Sequence, residues 1–270
     1  MKQTDSNPNQ QGHYVEANGL NMYYEEYGSG KPLILLHGGS VTSRMWQAFL
    51  PSLASHFRVI TPDSRAHGKT NNPEGNLSYR LMADDVAAFI QALDVSKPLV
   101  FGYSDGGQIA LEIGMRYPCL TGALIIGAAW YRFSETYQNW LKALGFERSG
   151  VVNIEQIRAE APEWVNLVKT EHVHPDDPDY WLTLLKQLSI MWWTPLDYAV
   201  EDFQKITEPM LILMGDRDGT IELKQAVEMY QLIPNAELVI LPNATHLSAV
   251  SELSMNIVLD FFLRHSTLTN

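Results

Sequence analysis

A mostly parallel α/β sheet with helices on both faces is predicted by two features of the chain. Short continuous apolar runs recur along it, and longer segments with apolar residues at helical spacing separate them. Residues 21–27 (NMYYEEY) read as a strand, and 32–36 (PLILL) as a buried strand ending at His37-Gly38-Gly39. Residues 57–61 (FRVIT) form the next and end at Pro62-Asp63. Over 78–93, Leu81, Met82, Val86, Phe89, Ile90 and Leu93 fall on one helical face. A strand at 98–103 (PLVFGY) leads into a helix at 105–117 that Pro118 ends. Strands follow at 123–126, 209–214 and 237–241, with a helix at 221–233 and a closing helix at 251–264.

The rhythm breaks over residues 128–205, which read as several helices with no clear strand. This stretch holds six of the seven tryptophans, among them Trp130, Trp192 and Trp193. The expected organisation is a disordered polar tail at 1–13, a core at 14–127 and 206–266, and a helical insertion at 128–205. Its tryptophans supply its own small core, and a few of its residues, with Trp130, Tyr131 and Met191 as candidates, roof an apolar pocket.

Composition narrows the function classes. With 270 residues, 46% hydrophobic and 19% charged, the chain suits one large domain carrying an insertion. The formal net charge of -12 argues against nucleic acid or an anionic membrane as partner, since both call for clustered Lys and Arg. The longest apolar run, near 122–130, is far short of the ~20 residues a membrane span needs. The first 13 residues lack the apolar stretch of a secretory signal. A single cysteine, Cys119, allows neither an intramolecular disulfide nor a thiolate metal cage and reads as a packing residue; the expected location is cytoplasmic.

The chemistry centres on Gly102-Tyr103-Ser104-Asp105-Gly106, which fits G-x-S-x-G between an apolar strand and a helical pattern. A serine on so sharp a strand-to-helix turn is pushed out of the sheet top, and the helix N-terminus behind it offers N–H groups to an oxyanion. Of eight histidines, His246 stands just beyond the last strand, at the same sheet edge as Ser104. A histidine base needs an orienting carboxylate, and Gly215-Asp216-Arg217-Asp218 follows the 209–214 strand at that edge. Loop position favours Asp218. Asp216, closer to the strand end, is the rival and could instead pair with Arg217.

The order Ser104, Asp218, His246 resembles that of the α/β-hydrolase fold, and the likeness extends over about residues 14–264. His37-Gly38-Gly39 is similar to the family's oxyanion loop, Asp63–Gly68 to its D-x-R-G-x-G turn, and Gly215–Asp218 to its acid loop. The resemblance is closest to serine hydrolases with a helical cap after the sixth strand, including small esterases, lactonases, carbon–carbon bond hydrolases and amino-acid ester hydrolases. It implies Ser104 as nucleophile, His246 as base and Asp218 as its orienting acid. It also implies an oxyanion hole from the N–H groups of Asp105 and Gly39, with Ser40 as alternative to Gly39 and as a substrate contact. His37, Arg65 and His67 take structural roles.

Three departures stand out. Ala66 replaces a glycine, so that turn is expected to be reshaped. Gly219-Thr220 follows Asp218 where the family often has proline, which should loosen the acid loop. Asp105 takes a commonly apolar position; it either serves its own helix N-terminus or faces the pocket and pairs with a substrate cation. The implied activity is hydrolysis of a small carboxylic ester, α-amino-acid esters and lactones included, through an acyl-serine and with no cofactor. A carbon–carbon bond hydrolase with the same triad, or a non-catalytic ligand receptor, are the alternatives. His172 and His174 with Asp176, Asp177 and Asp179 read as an acidic loop, because i, i+2 histidines between Pro175 and Pro178 share no helix face; no metal is expected.

Overall fold

The computed structural model describes residues 11–196 and 198–266. The strands are β1 (Gln11–Ala17), β2 (Leu20–Gly28), β3 (Pro32–Leu36), β4 (Arg58–Pro62), β5 (Leu99–Tyr103) and β6 (Ala123–Gly127), then β7 (Phe146–Arg148), β8 (Val151–Val152), β9 (Met210–Gly215) and β10 (Ala236–Leu241). The helices are α1 (Leu50–Ala54), α2 (Tyr79–Ala92), α3 (Asp105–Arg116), α4 (Glu135–Leu144), α5 (Ile154–Glu160), α6 (Pro162–Glu171), α7 (Tyr180–Trp192), α8 (Val200–Gln204), α9 (Leu223–Leu232) and α10 (Glu252–Ser266). Eight strands make one sheet in the order β1-β2-β4-β3-β5-β6-β9-β10. All neighbours from β4 to β10 run parallel, and β2 is antiparallel to both β1 and β4.

The central strands β5, β6 and β9 are buried at every position, as their unbroken apolar runs require of strands covered on both faces. Between β6 and β9 the chain leaves the sheet and forms α4–α8. That region also holds a two-stranded antiparallel sheet, β7–β8, where the sequence pattern suggested no strand. The pair is only three and two residues long, too short to leave a periodic signature. No helix among the described residues is long and apolar enough to cross a membrane.

At the N-terminus, residues 1–10 of the expected tail lie outside the described residues, but 11–13 belong to β1. The cause is Asn18-Gly19, both at positive φ (47° and 74°), which turns the chain tightly so that Ala17 pairs with Leu20 and the register runs on to Gln11 opposite Glu26. His13 then stacks on Tyr24 at 5.3 Å. Cys119, expected to pack, is exposed: it follows Pro118 in a turn at φ 68° beyond the end of α3.

Glycine is a steric requirement where β5 passes into α3. A Cβ on Gly102 would clash with the Gly106 carbonyl and lie 2.8 Å from the Gly107 nitrogen; one on Gly106 would lie 2.6 Å from the Leu36 carbonyl carbon and 2.7 Å from the His37 oxygen. These neighbours are backbone and cannot rotate away. Gly106→Ala is therefore expected to lose at least the ~1–3 kcal/mol typical of overpacking, read as a lower midpoint in urea unfolding. A midpoint equal to that of the wild type would mean β3 can move away from α3.

Candidate functional site

Ser104 sits between the last residue of β5 and the first of α3, at φ 55°, ψ −117°, a conformation costly for a residue with a side chain. Two bonds hold it there. Its N–H donates to the Gly127 carbonyl at 2.8 Å, and its carbonyl accepts from the Gln108 N–H at 2.9 Å. The side chain is thereby presented at the C-terminal edge of the parallel sheet, the edge on which β9 and β10 also end.

His246 and Asp218 arrive from the loops after β10 and β9. His246 Nε2 lies 3.0 Å from Ser104 Oγ, and Nδ1 lies 2.8 Å from Asp218 Oδ2. A carboxylate only accepts, so Nδ1 carries the proton and Nε2 is free to accept from the serine hydroxyl. The Asp218 side chain is 0% exposed. Its Oδ1 accepts the N–H groups of Thr220 and Ile221, each at 2.9 Å. These two bonds tie down the segment expected to be loose for want of a proline. Asp216 points elsewhere, with Oδ2 3.8 Å from Arg217 Nε.

The loop after β3 runs beside the serine: a Cβ on Gly38 would lie 3.4 Å from Ser104 Cβ. Its N–H groups divide cleanly. That of Gly38 faces Met45 Sδ at 3.4 Å, and that of Ser40 donates to His67 Nε2 at 3.1 Å. Ser40 N–H is thus committed to His67, which favours Gly39 over Ser40 as an oxyanion donor. His37 braces the same region, Nδ1 bonded to the Gly38 carbonyl and Nε2 accepting from Ser64 N–H at 2.9 Å. Burial lowers the pKa of both His37 and His67 below the usual histidine value, which keeps each Nε2 available as an acceptor.

Below these rings, Arg65 makes a bidentate pair with Asp85 at 2.7 Å, both side chains buried. Ala66 beside it stays in the left-handed region, φ 68°, carrying the methyl at a cost of ~1–2 kcal/mol. His172 turns inward onto the His67 ring (5.5 Å), and His174 stacks on Tyr180 (3.6 Å).

The Asp105 side chain turns toward Trp192 and the loop after β3. It is 5% exposed and accepts from Tyr79 Oη at 2.8 Å and Trp192 Nε1 at 2.9 Å, lying against Gly39. Burial pushes its pKa up to about 6 despite those two donors. A second cap indole reaches the same loop: Trp164 Nε1 donates to Ser40 Oγ at 3.0 Å, so the Ser40 hydroxyl is engaged by the cap. Trp130 packs edge-on to Tyr79 at 6.3 Å and against Tyr137 at 4.8 Å. Met191 is buried in α7 next to Trp192. Tyr131, expected at the pocket, instead points to α8 and α9: its ring meets Phe203 at 5.3 Å and its hydroxyl bonds Glu228 at 2.5 Å. Its backbone N–H is captured by Gln225 of α9, which holds the residue on that side. Tyr79, Trp164 and Trp192 were not singled out by sequence reasoning, because only the packing of α2 beside α3 brings Tyr79 to Asp105 and only the docking of the cap brings Trp164 and Trp192 to the serine loop.

A sheet of this order with a serine, a histidine and an acid on three strand-end loops defines an alpha/beta hydrolase. The chain belongs to that family, whose model matches residues 33–253. It is 24% identical over 95% of its length to the 2-hydroxy-6-oxo-6-(2'-aminophenyl)hexa-2,4-dienoic acid hydrolase of Metapseudomonas resinovorans, of which it covers 92%. It is 25% identical over 86% of its length to the pimeloyl-[acyl-carrier protein] methyl ester esterase of Nitrosospira multiformis, of which it covers 94%. Among solved structures it is similar to a mutant of the meta-cleavage product hydrolase CumD, with TM-score 0.78 and 24% identity, covering 94% of this chain and 98% of that one.

If the three side chains act as one unit, Ser104→Ala should abolish labelling by a fluorophosphonate while the circular dichroism spectrum is kept. Labelling retained at another serine would remove Ser104 from the role. Asp218→Asn should lower turnover by ~10⁴, as in the serine protease triad, and Asp216→Asn by far less. The opposite ranking in steady-state rates would hand the acid's role to Asp216.

Proposed function

We propose that the protein hydrolyses a small carboxylic ester through an acyl-Ser104 intermediate. The observation that carries this reading is the unbroken chain from Ser104 Oγ to His246 Nε2 and from Nδ1 to Asp218, at 3.0 and 2.8 Å. Ser104 Oγ attacks the ester carbonyl as His246 Nε2 takes the hydroxyl proton. The tetrahedral oxyanion is held by the N–H groups of Gly39 and Asp105. His246 then protonates the departing alcohol and takes a proton from the water that attacks the acyl-serine. Asp218 fixes the tautomer and stabilises the imidazolium throughout.

Asp105 narrows the acyl group. Above a pH of about 6 it is a buried anion bonded only to neutral donors, an arrangement that favours a substrate cation such as an α-ammonium. A partly desolvated charge pair contributes on the order of 1–3 kcal/mol, tenfold to a hundredfold in specificity. A second reading, cleavage of a carbon–carbon bond by the same triad, is favoured by the likeness to the dienoic acid hydrolase of Metapseudomonas resinovorans. Such a dienoic acid brings a carboxylate of its own, which Asp105 would repel.

The deciding experiment measures kcat/KM for α-amino esters, matched neutral esters and a dienoic keto acid. Ester turnover far above that of the keto acid is expected; the reverse would establish the second reading, and no turnover of either would indicate a receptor. The ratio of α-amino to neutral ester kcat/KM cancels the contribution of the base. It should rise by about fivefold to tenfold from about pH 5 to about pH 7, where the α-ammonium is still mostly protonated, because Asp105 gains its charge as pH climbs through about 6. In Asp105→Asn the ratio should be flat. A ratio equally flat in the wild type would deny Asp105 any part in selection.

A further inference from the structure

Tyr103, the variable residue before the nucleophile, does something its motif position does not require. It ends β5 and is buried, and its hydroxyl donates to the main-chain carbonyl of His246 at 2.5 Å. Its ring lies 5.8 Å from the His246 imidazole. Gly127 makes room for that ring: a Cβ there would lie 2.5 Å from Tyr103 Cδ2. Burial, with Asp218 nearby, raises the phenol pKa, so the hydroxyl remains a donor.

The His246 loop is otherwise tied mainly to itself. Thr245 N–H bonds Ser248 Oγ at 2.8 Å and Ala249 N–H bonds the Thr245 carbonyl at 3.0 Å, both within the loop. The acid loop adds one strut, Arg217 N–H to the Ala244 carbonyl at 2.9 Å. None of these fixes the peptide of His246 relative to the serine. Among the described residues the imidazole hydrogen-bonds Asp218 through Nδ1, which keeps its proton, and Ser104 through Nε2, which takes and returns one.

We propose that Tyr103 is a positioning residue for the general base, clamping the main chain of His246 to the strand that carries Ser104 so that the ring meets Oγ at hydrogen-bond distance. The clamp rests on the reading of Ser104 and His246 as nucleophile and base. It links the two at a point that takes no part in proton transfer, and so stays fixed while the imidazole passes between its charged and neutral forms.

The test is Tyr103→Phe, which keeps the ring and removes only the hydroxyl. The rate of Ser104 phosphonylation by a fluorophosphonate and kcat for an ester should fall together by about tenfold to a hundredfold, the loss expected from displacing a catalytic group by up to ~1 Å. KM should stay within about twofold, since nothing that holds substrate is altered. Tyr27→Phe is the control, because Tyr27 is a half-buried tyrosine on β2 whose hydroxyl bonds Glu25. It should leave the phosphonylation rate unchanged. Rates within about twofold of the wild type in Tyr103→Phe would overturn the proposal, as would an equal loss in Tyr27→Phe. A wild type left unlabelled at Ser104 would remove the nucleophile, and the clamp with it; labelling without ester turnover would count against the ester reading alone and leave the phosphonylation ratio to decide on Tyr103.

Discussion

The close approach of backbone to backbone at the turn between β5 and α3 is the constraint on which the site depends. Gly102 and Gly106 allow α3 to start in contact with the ends of β5 and β3. Only with that contact is Ser104 held at φ 55°, its oxygen outward and its N–H on the Gly127 carbonyl of β6. The same contact brings the loop after β3 alongside the serine, so one steric choice places both Ser104 and the loop proposed to supply an oxyanion donor. Strain at Ser104 persists because β3, β6 and α3 all over-determine it.

Polar groups buried behind that turn do the holding. His37 and His67 each accept a backbone N–H through Nε2, and burial keeps both neutral at ordinary pH. Arg65 and Asp85 anchor the adjacent turn, and losing one partner of such a buried pair costs ~3–5 kcal/mol. Asp63 takes the Ser43 N–H and hydroxyl on one oxygen and the Lys69 N–H on the other. These residues carry no reaction step, yet they fix the loop to which Gly39 belongs.

Much of this was legible in the sequence for a physical reason. Fully buried parallel strands read as apolar runs, and a loop that follows such a run must lie at the sheet edge where Ser104, Asp218 and His246 meet. What stayed illegible depends on tertiary docking. Tyr79 reads only as the start of α2 until that helix packs beside α3, and Trp164 and Trp192 only as two tryptophans among many until the cap is set on the core. Tyr131 was misplaced because Gln225, far along the chain, captures its N–H. The start of β1 was legible after all: Asn18-Gly19 is a hairpin signal, outweighed in the reading by the polar residues before it.

The cap enters the chemistry through Asp105. Its carboxylate adjoins the peptide N–H assigned to the oxyanion, where negative charge opposes the charge that develops on substrate. Trp192 and Tyr79 lower that opposition by drawing the lone pairs into two hydrogen bonds, but they are neutral, and burial still outweighs them: the carboxyl group titrates near 6. An unpaired buried anion is costly wherever it occurs, and a cation of the right reach removes the cost. On the proposed ester chemistry, a cationic acyl group would supply that partner and at the same time shield the oxyanion from the carboxylate. A dienoic acid would add a second negative charge to the same enclosure, with no cation among the groups that bond Asp105 to offset it. The position that sets this chain apart within its motif thus weighs on rate and on selectivity through one term, the balance of charge beside Gly39.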